Sequence, residues 1–284
     1  RGHDVVVITG SPKSKVNVER SPNLTIYCLP PRNLFFYNNA HCYSFLLRLA
    51  WHAIDIFNIA TALRVKTILK QEKPEVVHTH NLMGLSFLIP SIIRRLKFRH
   101  IHTVHDVQLV EPSGLIVKNK EHLFRYTGFP TKIYTAIMRR LMGSPNVVIS
   151  PSQFLHAFYS TRSFFAESVF EVMRNPVTFS VIKTPREATA IFRFIYVGQI
   201  EKHKGISPLI EAFAKLGQEV ADMELHIIGS GSRLEDVRKL VKNDSRIHLY
   251  GRVERSALPA LFRTADITVV PSLCYENSPT VIFE

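Results

Sequence analysis

Glu276 and Glu284, with seven residues between them, flank the stretch Asn277-Ser278-Pro279-Thr280-Val281-Ile282-Phe283. The residue types suggest a ligand with an anionic middle and hydroxyl-bearing ends. Ser278 followed by Pro279 reads as a helix start, since serine caps and a proline at the first helical position gives up no needed N–H. A helix N-terminus offers free backbone N–H groups and a positive dipole end to a phosphate. Glu276 then stands in the loop before that helix, and Glu284 about 8 Å further along at the rise of an α-helix. A carboxylate accepts from hydroxyls and repels phosphate, so the two acids suit the polar ends of the ligand. A nucleotide diphosphate sugar has this layout.

A second phosphate-holding segment is Gly198-Gln199-Ile200-Glu201-Lys202-His203-Lys204-Gly205, between a strand and a helix. Glycines at both ends let the backbone turn tightly, and Lys204 falls where phosphate oxygens would collect. Gly229-Ser230-Gly231-Ser232 is another glycine turn after a strand, weak by itself. His105-Asp106 ends a strand and is a candidate catalytic pair, with structural hydrogen bonding by the histidine as the alternative. His78, His80, His100 and His102 lie nearby, but no cysteine or carboxylate stands at matching spacing, so no metal site is assigned.

Lysine and arginine number 36 against 23 acids, a net charge of +13. Three kinds of partner account for such charge: nucleic acid, an anionic membrane surface, or polyanionic small substrates. The basic residues are spread along the chain without a nucleic-acid-binding motif, which ranks nucleic acid last. Hydrophobic residues make up 46% and charged residues 21%, a globular balance. Cys28, Cys42 and Cys274 are scattered without disulfide or metal spacing, so the expected compartment is the reducing cytoplasm. No run of uncharged apolar residues reaches membrane-spanning length; the best candidate, Ala50 to Leu63, is interrupted by His52, Asp55 and Asn58.

Strands and helices must alternate to position these residues. Expected strands are Asp4 to Thr9, Leu24 to Leu29, Val76 to Thr79, Ile101 to Val104, Val147 to Ile149 and Val169 to Met173. The rhythm restarts with Phe192 to Val197, Glu224 to Ile228, Ile247 to Tyr250 and Ile267 to Val270. Cys42 to Gln71 has apolar residues at helical spacing (Leu46, Leu49, Ala53, Ile56, Ile59, Leu63) and reads as a core-facing helix. Gly84 to Leu96 reads as another helix, and Ser150-Pro151-Ser152 opens one near Gln153. The loop of about two dozen residues after Asp106 is long for a compact domain and points to a functional segment. The expected class is α/β. Residues 1–175 form an N-terminal Rossmann-like domain, 176–190 a linker and 191–284 a second Rossmann-like domain, with a cleft between the two. Arg1-Gly2-His3 resembles a helix end, so the chain reads as starting inside a larger protein.

In order and spacing, Glu276 and Glu284, the Gly198 to Gly205 loop, Ile228-Gly229-Ser230-Gly231, Ser150-Pro151-Ser152, Asn175-Pro176-Val177 and His105-Asp106 together resemble a family 4 retaining glycosyltransferase of the GT-B fold. The resemblance covers nearly the whole chain. It implies transfer of a sugar from a UDP- or GDP-linked donor to an acceptor hydroxyl, with retained anomeric configuration and neither cofactor nor obligatory metal. It assigns the donor diphosphate to Lys204, with Gly198, Gly229 and Ser278 in the donor site. Donor sugar hydroxyls fall to Glu276 and the ribose to Glu284, while His105 approaches the sugar from the other domain. The family's first strand and C-terminal helices would lie outside the sequence. Gln199 stands where the family often has arginine. A glycan or lipid-linked acceptor of the cell envelope is expected, handled at the inner face of the membrane. A nucleotide-sugar epimerase of the same fold and a catalytically degenerate sugar-nucleotide-binding protein are the alternatives.

Overall fold

The computed structural model describes residues 2–177, 189–217, 220 and 222–284, so most of the expected linker, 178–188, lies outside the described residues. The chain divides into two compact units, Arg1–Leu115 with Leu123–Arg174, and Ile116–His122 with Asn175–Glu284. Residues 116–122, read from sequence as part of the first domain, therefore pack with the second.

The first unit holds two sheets. In one, β1 (Val5–Gly10) pairs parallel with β3 (Leu24–Leu29), and β2 (Asn17–Ser21), a strand the sequence reading missed, runs antiparallel on the outer side of β3. The other is a four-stranded parallel sheet in sequential order, β4 (Val76–Thr79), β5 (Arg99–Thr103), β6 (Val147–Ser150) and β7 (Val169–Val172). Helices α3 (Ile89–Arg95), α4 (Phe124–Thr127), α5 (Phe129–Met142) and α6 (Gln153–Ser160) connect these strands. Ile93, Met138, Met142, Val148 and Leu155 are fully enclosed. Ser152 caps α6 as expected, accepting from the Leu155 N–H at 3.3 Å. The helix expected over Gly84 to Leu96 is shorter, because residues 82–85 form a turn and α3 begins only at Ile89.

The Cys42 to Gln71 expectation needs a larger correction. Two helices occupy it, α1 (Phe45–Ile56) and α2 (Ile59–Glu72), broken at Phe57 and Asn58. Asn58 caps α2 by accepting from the Thr61 N–H at 3.0 Å. The apolar stripe named from sequence faces outward: Leu46 is 74% exposed, Leu49 57%, Ile59 63% and Leu63 52%. The inward side of α1 is Trp51 and Asp55 instead. The Trp51 indole N–H donates to the Phe35 carbonyl at 2.7 Å, and the Asp55 carboxylate accepts from the Gly84 N–H at 3.0 Å. These polar ties turn the side of Trp51 and Asp55 inward, against the direction that the apolar stripe alone would give.

The second unit is a four-stranded parallel sheet in the order β10 (Ile247–Gly251), β9 (Met223–Ile228), β8 (Phe192–Val197), β11 (Ile267–Thr268). One face packs on α7 (Ile206–Leu216) and α8 (Leu234–Val241), and α9 (Leu258–Thr264) leads into β11. Ile206, Ile210 and Phe213 recur at helical spacing on α7 and meet Leu225, Ile227 and Tyr196 in one buried cluster. Two parallel α/β units are thus present, as the sequence patterning requires.

Candidate active site

The strand order of the second unit reverses between β8 and β11. Chain order runs outward through β9 and β10 on one side and returns to β11 on the other. In open α/β sheets this reversal opens a crevice beyond the strand C-termini, where ligands bind. The loop after β8 is Gly198 to Gly205, and the loop after β11 leads through Pro271 to Glu276.

Local chemistry holds the two loops together. Gly205 has φ +72°, and a Cβ there would lie 2.0 Å from the Pro271 carbonyl oxygen. Both the backbone angle and the close approach exclude a side chain. The Leu273 N–H donates to the His203 carbonyl at 2.9 Å. The Lys204 ammonium pairs with Glu276 Oε1 at 2.7 Å, and the Ser272 hydroxyl donates to the same oxygen. Burial alone would raise the Glu276 carboxyl; the hydrogen bonds from Lys204 and Ser272 and the charges of Lys204 and His203 outweigh it and hold the group below the usual carboxylate range. Glu276 is therefore ionised at neutral pH, with Lys204 as its counter-ion.

The neighbouring glycine turn joins this assembly. Gly229, at φ +147°, leaves 1.8 Å between a would-be Cβ and the Gly198 carbonyl oxygen, so the backbones after β8 and β9 cross in contact. Glu201 fastens the two turns, accepting from the Ser232 N–H at 2.7 Å and the Ser232 hydroxyl at 2.6 Å. The Gln199 carbonyl accepts from the Tyr196 hydroxyl at 2.6 Å. Gly198, Lys204, Gly229 and Glu276 are thereby brought together in one unit.

Ser278 and Glu284 fall differently from expectation. The helix predicted to open at Ser278 is a single 3-10 turn, Thr280–Ile282, with Pro279 at its N-cap position and no side-chain cap. Glu284 accepts from Arg255 at 3.3 Å with its own side chain only 9% exposed. The cap failed as a signal because Pro279 takes an extended ψ of 110°, which delays the turn by one residue.

Residues the sequence reading did not select also belong here. Val117 bridges Cys274, the Lys118 N–H donates to the Leu273 carbonyl at 2.9 Å, and the Lys118 ammonium reaches the Ser272 carbonyl at 3.3 Å. The Tyr275 hydroxyl donates to Glu121 at 2.5 Å. The 116–122 segment is thus a strap on the Glu276 loop. Sequence could have flagged Ser272, four residues before Glu276 on the same loop; the strap joins residues too distant in sequence to leave a local signal.

In the first unit His105, solvent-exposed after β5, shares a hydrogen bond of 2.9 Å between its Nε2 and His80 Nδ1, and the two rings stack. Although the residue is exposed overall, partial desolvation of its ring and the nearby His80 lower the His105 imidazole from its ordinary range, so it is neutral at pH 7. The Asp106 carboxyl accepts from the Gln108 N–H at 2.8 Å and is pushed up by burial. His80, His102, His105, Asp106, Gln108 and Tyr159 line one pocket. His100 and His102 both bond the Thr79 hydroxyl, at 2.8 and 2.9 Å.

The model of the family described as Glycosyltransferase Family 4 matches residues 1–180. The chain belongs to this family. A second model, Glycosyl transferases group 1, matches residues 183–284 of the same glycosyltransferase. A protein of Klebsiella pneumoniae known as an uncharacterized 42.6 kDa protein in the cps region is 23% identical over 284 residues, spanning 100% of this chain and 74% of that protein. Among solved structures, sucrose-phosphate synthase from Thermosynechococcus elongatus is similar with TM-score 0.66 and 17% identity, covering 99% of this glycosyltransferase and 68% of that chain. An E. coli structure reported as trehalose-6-phosphate bound with UDP-2-fluoro glucose is similar with TM-score 0.61 and 14% identity, covering 94% of this chain and 71% of that one. At these identities the structures share the GT-B fold with the family 4 chain; the enzyme class rests on the family.

Proposed function

We propose that this glycosyltransferase moves a sugar from a UDP- or GDP-linked donor to an acceptor hydroxyl with retained anomeric configuration. The observation that carries the reading is the Lys204–Glu276–Ser272 cluster at the reversal of strand order in the second unit. Breaking the anomeric bond leaves negative charge on the β-phosphate, which Lys204 and the free N–H groups at the start of α7 are suited to stabilise as it grows. Ionised Glu276 serves donor sugar hydroxyls. Retention follows from same-face attack, the departing phosphate taking the acceptor proton, because Glu276 is engaged with hydroxyls and not with the anomeric carbon. Glu284 is proposed for the ribose hydroxyls, which a carboxylate accepts from, and neutral His105 for the sugar. No cofactor or obligatory metal enters this scheme.

The acceptor is proposed to be a cell-envelope glycan or a lipid-linked one, and the site of action the cytoplasm at an anionic membrane surface. The outward face of α1 supports the membrane partner. Leu46 and Leu49 are exposed on it and Phe57 just past its end, and between Arg20 and Gln71 the one acid is Asp55, which is buried, while Arg32, Arg48, Arg64, Lys66 and Lys70 are basic. By length and composition the stretch Phe45–Glu72 is apolar enough to cross a membrane, although here it forms two helices.

Binding of UDP, GDP and their sugars, followed by thermal shift and calorimetry, tests the donor reading. Lys204→Ala is expected to weaken nucleotide binding at least tenfold, roughly the loss of one charge-assisted hydrogen bond. Glu276→Gln separates the roles, because it frees Lys204: the bare nucleotide should bind several-fold tighter while sugar transfer falls by orders of magnitude. Equal losses of binding and transfer would contradict the assignment of Glu276 to the sugar.

A further inference from the structure

The face of the second sheet opposite α7 and α8 carries polar residues near the strand N-termini, the end away from the donor loops. Glu224 and His226 stand two apart on β9, and His248 on β10 is directly opposite His226 in register. The period of two puts all three on one face. Their ligand atoms lie within 4.8 Å of one another. His226 Nε2 is 3.2 Å from Glu224 Oε2, and His248 Nε2 is 3.7 Å from Glu224 Oε1.

We propose that Glu224, His226 and His248 form a binding site for a divalent transition-metal cation, zinc by preference, that staples β9 to β10. Two imidazoles and a carboxylate are the donor set of three-ligand zinc sites, with water filling the fourth position. The supporting bonds have the form that metal sites use to orient their ligands. When His226 carries its proton on Nδ1 it donates to the Tyr250 hydroxyl at 2.8 Å, leaving the Nε2 lone pair directed at Glu224. Arg193 Nε donates to Glu224 Oε2 at 2.9 Å, which fixes the carboxylate plane and leaves Oε1 toward His248. The rings of His226 and His248 are 4.8 Å apart, so a small rotation of the half-exposed His248 closes the set. His226, the ligand nearer the donor loops, precedes Gly229 by three residues, about 10 Å along a strand, and Glu224 precedes it by five, about 16 Å. The ion would therefore act on the sheet, not on the departing phosphate, and the inference is independent of the donor reading.

The test is titration of zinc chloride into the whole chain against a fluorescent chelator, with thermal unfolding at each step. His248→Ala is the informative variant, because His248 is partly exposed and lies outside the buried core cluster; Glu224→Gln is the second. The wild type should bind one equivalent more than His248→Ala and unfold at higher temperature with zinc, and each variant should bind that equivalent at least tenfold more weakly. Equal stoichiometry and equal thermal shifts in the wild type and His248→Ala would overturn the site, as would zinc-edge anomalous density located elsewhere in a crystal.

Discussion

Asp55 interrupts an apolar stretch in the sequence, and the fold turns it inward to hold the Gly84 turn. Burial raises its carboxyl from 3.8 to about 7, against the stabilising Gly84 N–H. The sign of the consequence follows from proton counting. Between pH 3.8 and about 7 the folded state holds a proton that the unfolded state has lost, so the stabilisation is fully present below that window, falls as pH rises through it and is gone above it. Asn in this position keeps an oxygen for the Gly84 N–H and has no charge to bury. Asp55→Asn should match the wild type near pH 4 and exceed it at pH 8 by on the order of 2 kcal/mol in urea unfolding. A difference that does not change with pH would remove burial of the charge as the cause.

At the scale of elements, the proposed donor loops depend on a few backbone positions more than on side chains. Gly205 and Gly251 share φ +72°, but a Cβ at Gly205 strikes the Pro271 carbonyl whereas at Gly251 it meets open space. Gly251→Ala should cost only the backbone penalty, about 1 kcal/mol, and Gly205→Ala clearly more, about 3 kcal/mol, with loss of nucleotide binding as the Glu276 loop is pushed away. Thermal melting of both variants separates the terms; equal costs would mean that the contact with Pro271 relaxes freely. These turns were legible in the sequence because strand, glycine and helix are consecutive there, and the Gly198 to Gly205 loop sits where the alternation puts it. The orientation of α1 was not, since Leu46 and Leu49 are as apolar as a core residue and only the tertiary partners of Trp51 and Asp55 choose the side. The strap of residues 116–122 was equally hidden: its length was visible as a long loop, but its pairing with Leu273 and Cys274 joins residues more than 150 positions apart. The expected helix after Glu276 failed for a third reason, an extended proline where the cap pattern assumes a helical entry.

At the scale of the molecule, the proposed membrane contact combines a net charge of +13 with the exposed apolar side of α1. In that proposed contact, insertion of Leu46 and Leu49 would remove apolar surface from water, on the order of 1–2 kcal/mol per side chain, and neighbouring arginines and lysines would each add about 1 kcal/mol near an anionic surface. The two contributions respond to different variables. The electrostatic part weakens as the Debye length shrinks, so binding to vesicles containing phosphatidylglycerol should fall steeply as salt rises from about 0.05 to about 0.5 M, and neutral phosphatidylcholine vesicles should bind weakly throughout. The apolar part is tested by Leu46→Glu with Leu49→Glu. Both residues are exposed, so the melting temperature should hold while vesicle affinity drops tenfold or more. If the double variant binds as the wild type does, α1 is not the contact. If wild-type binding is insensitive to salt and to lipid charge, the basic balance of the chain serves the polyanionic donor alone, and Lys204→Ala should then account for most of the anion affinity.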